Sequence, residues 1–193
     1  MPAQRVLHAA DLTLRPPQPS DAPSIAEACQ DELTQQGIVL PRPYGVPEAQ
    51  QFITRAAELR QTGEEYSWAI LRDAEVVGMM SLHPQSSHAA ELGYWSHPRY
   101  RRRGYLRTAG LAVLAHAFDA EGLGVQRILW RAFTGNLGSA ALARALGFRF
   151  IGETRRSADW HGQWRDEWWA ELLHDQAPSP ESWKAIFPQE RSG

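Results

Sequence analysis

One stretch of the sequence, residues 91–121, constrains the fold more than any other. Residues 91–96 are mostly apolar or aromatic and are followed closely by Pro98, a pattern typical of a strand that runs out into a loop. From Leu106 onward the apolar residues recur with the period of a helix, which ends near Gly122. Four arginines and a glycine lie between the two patterns. The stretch therefore predicts a strand, a basic loop and a helix, in that order.

The basic loop reaches the predicted helix start at Gly104. The first turn of a helix has backbone amides without intrahelical partners and carries a partial positive charge. A glycine lets the backbone come close to a ligand. The pattern therefore predicts an anion site, most naturally for a phosphate or pyrophosphate group. A solvated basic turn that only ends the strand is the alternative interpretation at this point.

Residues 101–106, Arg-Arg-Arg-Gly-Tyr-Leu, resemble the pyrophosphate loop of the GNAT acyltransferases. The pattern of that loop is Gln or Arg, any two residues, Gly, any residue, and then Gly or Ala. Arg101 and Gly104 match the pattern, whereas Leu106 departs from it and is expected to narrow the backbone approach to the phosphate. Residues 90–98 are similar to the fourth strand, and the start of the following loop, in the branch that contains the ribosomal-protein N-terminal acetyltransferases RimJ and RimL.

A second motif supports the same resemblance. Residues 136–139 and 143–153 look like the family's segment of Asn, two residues and Ser, then a helix closing on Leu-Gly-Phe and a further strand. Residues 164–167 resemble the Arg-Asp segment that enters the last strand. The resemblance covers roughly residues 12–174. It implies an α/β (α+β) chain with the GNAT acyl-CoA N-acyltransferase fold, a mixed central sheet flanked by helices.

The rest of the chain also shows strand patterns separated by helical patterns, which predicts a mixed sheet covered by helices. The first helix is expected to carry Leu33 on the same apolar face as Ile25, Ala28 and Cys29. We predict strands at residues 11–15, 66–71, 75–82, 91–96, 126–133, 148–152 and 163–173; further helices after a cap at Ser20 or Asp21, from Pro47 to Gly63, after Asn136 and from Ser179 to Phe187; and loops at residues 35–45, 85–88 and 155–162.

Size and charge limit the class of protein. The chain has 193 residues, of which 43% are hydrophobic, and we expect a single N-acetyltransferase domain over residues 1–193, with its core at about residues 12–174 and a short C-terminal helix and tail at residues 178–193. The net charge of -2 argues against bulk nucleic-acid binding. Cys29 is the single cysteine, which fits a reducing compartment. Residues 1–8 lack the apolar core of a signal peptide, so a cytoplasmic location is expected.

The resemblance implies acetyl-CoA as the acyl donor and a primary amine as the acceptor. The amides of residues 103–107 and the side chains of residues 101–103 are expected to hold the CoA pyrophosphate. The pantetheine arm is expected to pair with the strand edge at residues 94–96, and Gly93 to mark a bulge that turns one amide toward the thioester carbonyl. The expected cofactor-binding residues are Tyr94, Trp95, Ser96, Arg101, Arg102, Arg103, Gly104, Tyr105, Leu106, Arg107, Asn136 and Ser139.

Three residues are expected to take part in catalysis. Asn136 suits a helix cap and, by resemblance, contacts the pantetheine arm or the substrate. Ser139 is expected to donate a hydrogen bond to the departing sulfur, with a solvated first-turn serine as the alternative. Glu91 is the first choice for the general base, directly or through water, with a salt-bridged strand carboxylate as the alternative. The other candidates for the base are Asp159, His161 and water.

Other kinds of site find less support in the sequence. His83, His88 and His97 are predicted to lie in loops without paired ligand spacing, so no metal site is predicted. The sequence contains neither a dinucleotide-binding nor a nucleotide-binding glycine loop. Tyr105 is a candidate acid or a contact of the cofactor. Four tryptophans are candidates either for lining an acceptor groove or for packing in the sheet: Trp160, Trp164, Trp168 and Trp169.

The sequence therefore predicts an acetyl-CoA-dependent N-acetyltransferase that acts directly on a primary amine of a protein N-terminus, a lysine or a small molecule. A transferase for succinyl or another acyl group is the alternative enzyme, and a non-catalytic acyl-CoA sensor is the alternative from a different class. An RNA-binding module built on residues 99–107 is disfavoured by the overall charge. The acceptor, the acyl length and the choice between monomer and homodimer stay open at this point.

Overall fold

The computed structural model describes residues 5–188, and the predicted tail at residues 189–193 lies outside them. Its centre is a sheet of eight strands in the order β1-β2-β3-β4-β5-β6-β8-β7. Strands β5 and β6 run parallel, and the other neighbours run antiparallel, which confirms the predicted mixed sheet. The strands are β1 (Leu7–Ala9), β2 (Leu12–Arg15), β3 (Tyr66–Arg72), β4 (Glu75–Pro84), β5 (Ala89–Ser96), β6 (Arg127–Phe133), β7 (Arg149–Trp160) and β8 (Gln163–Leu173).

Helices cover both faces of the sheet. One apolar cluster joins α1 and α3 to β3, β4 and β5, and a second, larger cluster joins α4 and α5 to the other face. Within residues 5–188 no helix combines the length and the apolar character needed to cross a membrane. The α-helices of this part of the chain are α1 (Ala22–Gln30), α2 (Glu32–Gly37), α3 (Val46–Thr62), α4 (Tyr105–Phe118) and α5 (Leu137–Ala145).

Local sequence signals explain where several elements begin and end. Pro47 occupies the first turn of α3, where its missing N–H costs nothing, and the Glu48 carboxylate accepts the Gly45 N–H at 2.8 Å. Gly63 ends the helix with φ of 77°, a conformation that glycine adopts without strain. At the predicted turn between β3 and β4, Asp73 and Ala74 both have positive φ, as a two-residue hairpin requires.

Strand β5 contributes to both apolar clusters because its side chains alternate between the two faces of the sheet. Ala90 and Leu92 are buried against α4 and α5, and Tyr94 packs against the same cluster. Trp95 packs against the cluster formed with α1 and α3. The period of two along β5 therefore places Glu91 and Gly93 on the same face as Trp95.

Several predicted elements differ from the structure. Leu33 is 66% exposed, because the chain breaks after α1 and residues 32–37 form the separate helix α2 inside the region predicted to begin a loop. The strand β1 was not predicted, and the predicted C-terminal helix is a short 3-10 helix over Pro180–Trp183. Helix α4 ends at Phe118, before the predicted end near Gly122. These differences concern short elements whose formation depends on packing more than on local pattern.

The largest difference lies in the region predicted to be a loop at residues 155–162. Strand β7 continues as far as Trp160, pairing Ala158 with Arg165 and Asp159 with Trp164 after an irregularity near Thr154. Residues 155–160 show no regular alternation of apolar and polar side chains. The strand continues because β8 offers a free backbone edge, a cause that lies outside the segment itself.

Candidate active site

The parallel pair of strands at the centre of the sheet separates part-way along its length. The β5–β6 ladder joins residues 89–91 to residues 127–129. Strand β5 stays paired with β4 as far as Ser96, and β6 stays paired with β8 as far as Phe133. The edge of β5 that faces β6 therefore leaves the ladder after Glu91. An open strand edge of this kind accepts an extended chain through backbone hydrogen bonds.

An exposed helix start stands beside this opening. Arg102 and Gly104 both have positive φ, and α4 begins at the next residue after Gly104. A Cβ built on Gly104 has no atom within 4 Å, so the space around it is open. The Thr108 N–H donates to the Gly104 carbonyl at 3.0 Å, which leaves the amides of residues 105–107 at the helix start without intrahelical acceptors. This geometry suits an anion.

The side chains of the basic loop differ in their contacts. The Arg101 guanidinium bonds to the Asp31 carboxylate and donates to Thr34 Oγ1 at 3.0 Å, and its hydrogen bond lowers the pKa of Asp31. Arg102 and Arg103 are exposed, with Arg103 over the Tyr100 ring. The exposed Arg107 donates to the Ala145 carbonyl at 3.4 Å. Contact of Arg101 with a pyrophosphate stays a prediction, since this side chain is already held by α2.

Leu106 packs onto β4. Its Cδ2 lies 3.0 Å from the position that a Cβ on Gly78 would occupy, and the carbonyl of Trp95 is only 2.7 Å from that position. Glycine in β4 therefore compensates for leucine in α4, and a narrowed approach to the phosphate stays a prediction.

Tyr105 contacts the far end of the β3–β4 hairpin. Its hydroxyl bonds to Arg72, whose guanidinium also lies 5.3 Å from the centre of the Tyr105 ring. Arg72 in turn forms an ion pair with Asp11 at 2.8 Å. The Tyr105 side chain is therefore held by Arg72 at the edge of the basic loop. Its contact with a cofactor, or its role as an acid, stays a prediction.

Asn136 and Ser139 lie at the start of α5, on the same face of the sheet as Tyr94. The Asn136 Oδ1 accepts the Ser139 N–H at 3.1 Å, which is the predicted helix cap. The Ser139 hydroxyl accepts from Trp130 Nε1 and donates to the Tyr94 hydroxyl, each at 3.2 Å. The Tyr94 hydroxyl donates to the Ser139 carbonyl at 2.8 Å, and burial raises the pKa of Tyr94. We call Tyr94, Trp130 and Ser139 the closed cluster.

Glu91 is engaged in an ion pair. Its carboxylate lies 2.8 Å from Arg131 Nε, and Arg131 also lies 3.7 Å from Glu167. This is the salt-bridged arrangement that the sequence left as the alternative, and the role of Glu91 as a base stays a prediction. The other two candidates lie at the tip of the β7–β8 hairpin. There Asp159 accepts the Gly162 N–H at 2.6 Å, and His161 has φ of 53° in the turn.

Helix α2 lies between the basic loop and the hairpin tip. Its first turn holds Arg101, as described above. A Cβ on Gly37, at its last residue, would come within 3.0 Å of Asn136 Nδ2. Trp160 Nε1 donates to the Gln35 carbonyl at 3.3 Å, and Arg165 donates to the Gln36 carbonyl at 3.2 Å. The helix therefore links the anion site, the start of α5 and the hairpin in one wall.

The four tryptophans of the last two strands have different surroundings. Trp168 packs against the core cluster of α4 and α5 and donates to Glu153 at 2.9 Å. Trp169 lies under the Arg131 guanidinium at 5.6 Å. Trp160 is stacked with Arg165 at 3.7 Å, at the hairpin tip. Trp164 is 66% exposed. Trp160 contacts α2 through its hydrogen bond to the Gln35 carbonyl, Trp168 shows the predicted packing in the sheet, and a groove lined by these tryptophans stays a prediction.

Sequence reasoning missed a row of polar groups on the opposite face from the closed cluster. His83 lies inside β4 and faces Glu91 in the register, so its predicted loop position was wrong. Its Nε2 is 3.1 Å from Ser81 Oγ, and its Nδ1 is 3.5 Å from Glu65 Oε2. The Ser67 hydroxyl donates to the other oxygen of Glu65. We call Glu65, Ser81 and His83 the open row.

Gly93 makes room for two side chains of the open row. The β4–β5 register is regular from Gly78 opposite Ser96 to Pro84 opposite Ala90, so the predicted bulge at Gly93 was wrong. A Cβ on Gly93 would lie 3.2 Å from Ser81 Oγ and 3.5 Å from His83 Nε2. Glycine thus leaves room for these two side chains beside the place where β5 and β6 separate. The spacing of Ser81 and His83, two residues apart on a strand, was the available signal.

A mixed sheet with one separated parallel pair, an open helix start beside the gap and helices on both faces defines the class of acyltransferase folds. The chain belongs to the GNAT acetyltransferase family: the family described as the acetyltransferase (GNAT) domain matches residues 11–149. Membership of this family and its fold were predicted from the motifs and are confirmed.

Individual relatives agree with this assignment. YdaF of Bacillus subtilis, which carries the name of a ribosomal N-acetyltransferase, is 31% identical over 106 residues. That match covers 54% of this chain and 57% of YdaF, so the chain spans little more than half the length of this curated relative. RimL in complex with coenzyme A has a TM-score of 0.79 at 20% identity, over 89% of this chain and 99% of that chain. Mycobacterium smegmatis RimJ, in complex with CoA-disulfide, has a TM-score of 0.77 at 20% identity, over 95% of this chain and 93% of that chain. At these identities the two structures show a shared fold.

Proposed function

We propose that this protein transfers an acetyl group from acetyl-CoA directly to a primary amine. The observation that carries the proposal is the opening between β5 and β6, which begins after Glu91 beside the exposed start of α4. The opening offers a strand edge for the pantetheine arm, and the helix start offers amides for the pyrophosphate. The RimL structure is a complex with coenzyme A and the RimJ structure is a complex with CoA-disulfide, which supports the same donor here.

The donor-binding residues follow from this geometry. The amides of residues 103–107 hold the pyrophosphate, with the exposed side chains of Arg102 and Arg103 neutralising its charge. The pantetheine arm pairs with β5 at residues 94–96 and passes Asn136 at the start of α5. The Arg101 side chain can contact the pyrophosphate only after its ion pair with Asp31 breaks. A backbone amide of β5 near Gly93 polarises the thioester carbonyl, and such a donor is commonly worth on the order of 10²–10³ in rate.

Ser139 protonates the leaving sulfur in this proposal. Its hydroxyl is held by Trp130 and Tyr94 at 3.2 Å each, so its position is fixed before the donor binds. A fixed donor costs little reorganisation when the thiolate forms. The Ser139 hydroxyl must break its hydrogen bond to Tyr94 before it can donate the proton to the sulfur. This cost limits the contribution of Ser139 to the rate.

An acetyl group fits better than a succinyl group. The second carboxylate of a succinyl chain needs a free cation near the thioester. Arg131 is the cation placed beside Glu91, and it is paired with Glu91 at 2.8 Å and with Glu167 at 3.7 Å. Its charge is therefore already balanced.

The proposed acceptor is the α-amino group of a protein N-terminus. Support comes from the names of the relatives, since YdaF and RimL are both named for ribosomal N-acetyl transfer. Lysine and small amines are the other acceptors in the proposal. We further propose that residues 1–193 form a single domain acting in the cytoplasm as a monomer or homodimer. The single cysteine, Cys29, is buried, which raises its thiol pKa to about 11 and suits a reducing compartment.

Calorimetry with acetyl-CoA, succinyl-CoA and free CoA tests the donor, and thiol release with N-terminal peptides, lysine and small amines tests the reaction. We expect tight binding of acetyl-CoA and thiol release that depends on a peptide α-amine. Binding of acetyl-CoA without release from any amine would establish the sensor in place of the enzyme. Absence of binding to all three compounds would overturn the proposal.

Gly104→Trp tests the position of the pyrophosphate. The indole fills the open space above the helix start, so we expect acetyl-CoA affinity to fall by on the order of 100-fold or more, about 2.7 kcal/mol. Gly162→Trp is the matched control, because Gly162 also has positive φ and open surroundings but lies at the hairpin tip. Unchanged affinity in Gly104→Trp would remove the anion site from the proposal.

A further inference from the structure

We propose that His83 is the general base that takes a proton from the acceptor amine, with Glu65 as the residue that positions and orients its ring. This inference rests on the proposed acetyl transfer and deepens it. It assigns a catalytic role to a histidine in the middle of a strand. The argument uses the position of His83, its hydrogen-bonding partners and the charges that face it.

The imidazole lies where the reaction must take place. Ser81 faces Gly93 in the β4–β5 register, and His83 faces Glu91, the last residue of β5 that still pairs with β6. The His83 Nε2 is 3.5 Å from the point that a Cβ on Gly93 would occupy. The His83 side chain is 38% exposed, so an amine that approaches from the face of the open row meets the thioester at the separated strand edge and the imidazole on the same side.

The partners of the ring determine which nitrogen is basic. Glu65 Oε2 lies 3.5 Å from Nδ1, and the Ser67 hydroxyl donates to the other Glu65 oxygen, which holds this carboxylate in place. The Glu65 side chain is 14% exposed, whereas that of His83 is 38% exposed. A carboxylate beside Nδ1 favours the tautomer with a proton on Nδ1, so Nε2 carries the electron pair. In this tautomer Nε2 accepts the Ser81 hydroxyl at 3.1 Å, and the hydroxyl must turn away before Nε2 takes a proton from the amine.

The charged groups that face His83 favour it over Glu91 as the base. From the start of β3 it faces Glu65, and from β5 it faces Glu91, whose charge is balanced by Arg131 of β6. The Glu91 carboxylate would have to give up its ion pair with Arg131 at 2.8 Å to take a proton from the amine. An imidazolium formed at His83 would instead lie beside the Glu65 carboxylate, whose Oε2 is 3.5 Å from Nδ1.

The proton balance is complete with these groups. The amine arrives as an ammonium ion, and His83 Nε2 takes one proton, which then passes to solvent from the exposed ring. The neutral amine forms a C–N bond to the acetyl carbon, and the C–S bond breaks. The second N–H proton passes to solvent from the protonated nitrogen as the C–S bond breaks. Ser139 gives one proton to the thiolate and regains one from solvent. The products are the N-acetyl amide, free CoA thiol and one proton.

The test compares His83→Ala with His88→Ala, a histidine in the exposed loop before β5. For His83→Ala we expect kcat to fall on the order of 10²–10⁴-fold with unchanged acetyl-CoA affinity, and added imidazole to restore part of the rate. His88→Ala keeps the wild-type rate. Glu65→Gln lowers kcat on the order of 10-fold, equivalent to about 1.4 kcal/mol, with KM and acetyl-CoA affinity unchanged, because the ring loses the carboxylate that orients it.

The outcomes separate this inference from the proposed function. A wild-type protein that turns over, with a His83→Ala variant within threefold of its rate and an unchanged acid limb, would overturn the role of His83 and leave acetyl transfer standing. A His83→Ala variant that is slow, binds acetyl-CoA normally and recovers with imidazole supports the role. A wild-type protein that binds no acyl-CoA would overturn the proposed function and this inference together.

Discussion

The two faces of β5 carry polar groups of similar chemistry in opposite states. On one face, the hydroxyls of Tyr94 and Ser139 and the Trp130 indole satisfy one another beneath α5. On the other face, Ser81, His83 and Glu65 lie beside Gly93, and the His83 side chain is 38% exposed. The first group contributes mainly to stability, whereas the second has an imidazole that is partly open to solvent. A polar residue in a family motif is therefore not automatically the more reactive one.

The energetic reason lies in what each group must give up to react. A buried hydroxyl whose hydrogen bonds are made must break one of them, at a cost of about 1 kcal/mol or more. The partly exposed His83 imidazole must also release the Ser81 hydroxyl, 3.1 Å from its Nε2, but this contact lies close to solvent, where water can replace the lost hydrogen bond. We therefore expect substitutions in the open row to change turnover more than stability, and substitutions in the closed cluster to show the reverse.

The double variant His83→Ala with Ser139→Ala tests whether the two faces act separately. Because the two residues share no partner, their effects should multiply to a loss in kcat on the order of 10³–10⁵-fold. The measurement is a double-mutant cycle on kcat, with acetyl-CoA affinity as the control for an intact donor site. A double variant no slower than His83→Ala alone would mean that both residues serve one proton path, and the comparison would fail.

Ser139→Ala alone should affect both stability and turnover. Removing the hydroxyl leaves the Trp130 N–H without its acceptor, so we expect a loss of about 1–2 kcal/mol in urea unfolding. Turnover should fall only about 10-fold, since the hydroxyl must break its bond to Tyr94 to act. A turnover loss above 100-fold with unchanged stability would make this serine the dominant catalytic group.

Tyr94→Phe should change how the stability of the closed cluster depends on pH. Burial raises the pKa of Tyr94 above its ordinary value near 10, so the unfolded chain ionises first as the pH rises. The stability that this group contributes is complete below about pH 10 and is lost above it, by about 1.4 kcal/mol per pH unit. Urea unfolding at pH 8 and pH 11 should show a steeper loss for the wild type than for Tyr94→Phe. Equal losses of stability in the wild type and in Tyr94→Phe between these two pH values would contradict the burial of the hydroxyl.

Glu91→Gln should have the smallest effect. The substitution removes one of the two carboxylates around Arg131, which is 44% exposed, so we expect a stability loss of about 1 kcal/mol or less. Turnover should stay within threefold and the acid limb of the pH profile should not move. The control is Glu65→Gln, measured in the same buffers. A flattened acid limb in Glu91→Gln alone would return the role of base to Glu91.

Much of the framework could be predicted from local sequence. The change of period at Leu106 placed α4 within one residue of its start, and Asn136 was identified as the cap of α5. The hairpin turn at Asp73 and Ala74 and the end of α3 at Gly63 were also predicted. These features depend on residues that are neighbours in sequence, and the preferences of those residues for helix ends and turns are known from their types.

The candidate site could be predicted only in part, because its geometry depends on pairing between distant segments. Nothing local to β5 indicates that its ladder with β6 ends at Glu91. The sequence pattern ended β4 at Leu82, and the extra pairing with β5 is what places His83 in the sheet. The compensation between Leu106 and Gly78 joins two elements that are adjacent only in the fold.

The contact between α2 and the β7–β8 hairpin has a consequence for the order of folding. Trp160 and Arg165 donate to carbonyls of α2 that precede them by 125 and 129 residues. At a synthesis rate of about 5–20 residues per second, the partner of Gln35 emerges roughly 6–25 s after Gln35 itself. The segments that form β1 to β5 and the start of α4 are synthesised before that time. The wall beside α2 therefore cannot be completed until the β7–β8 hairpin has been made.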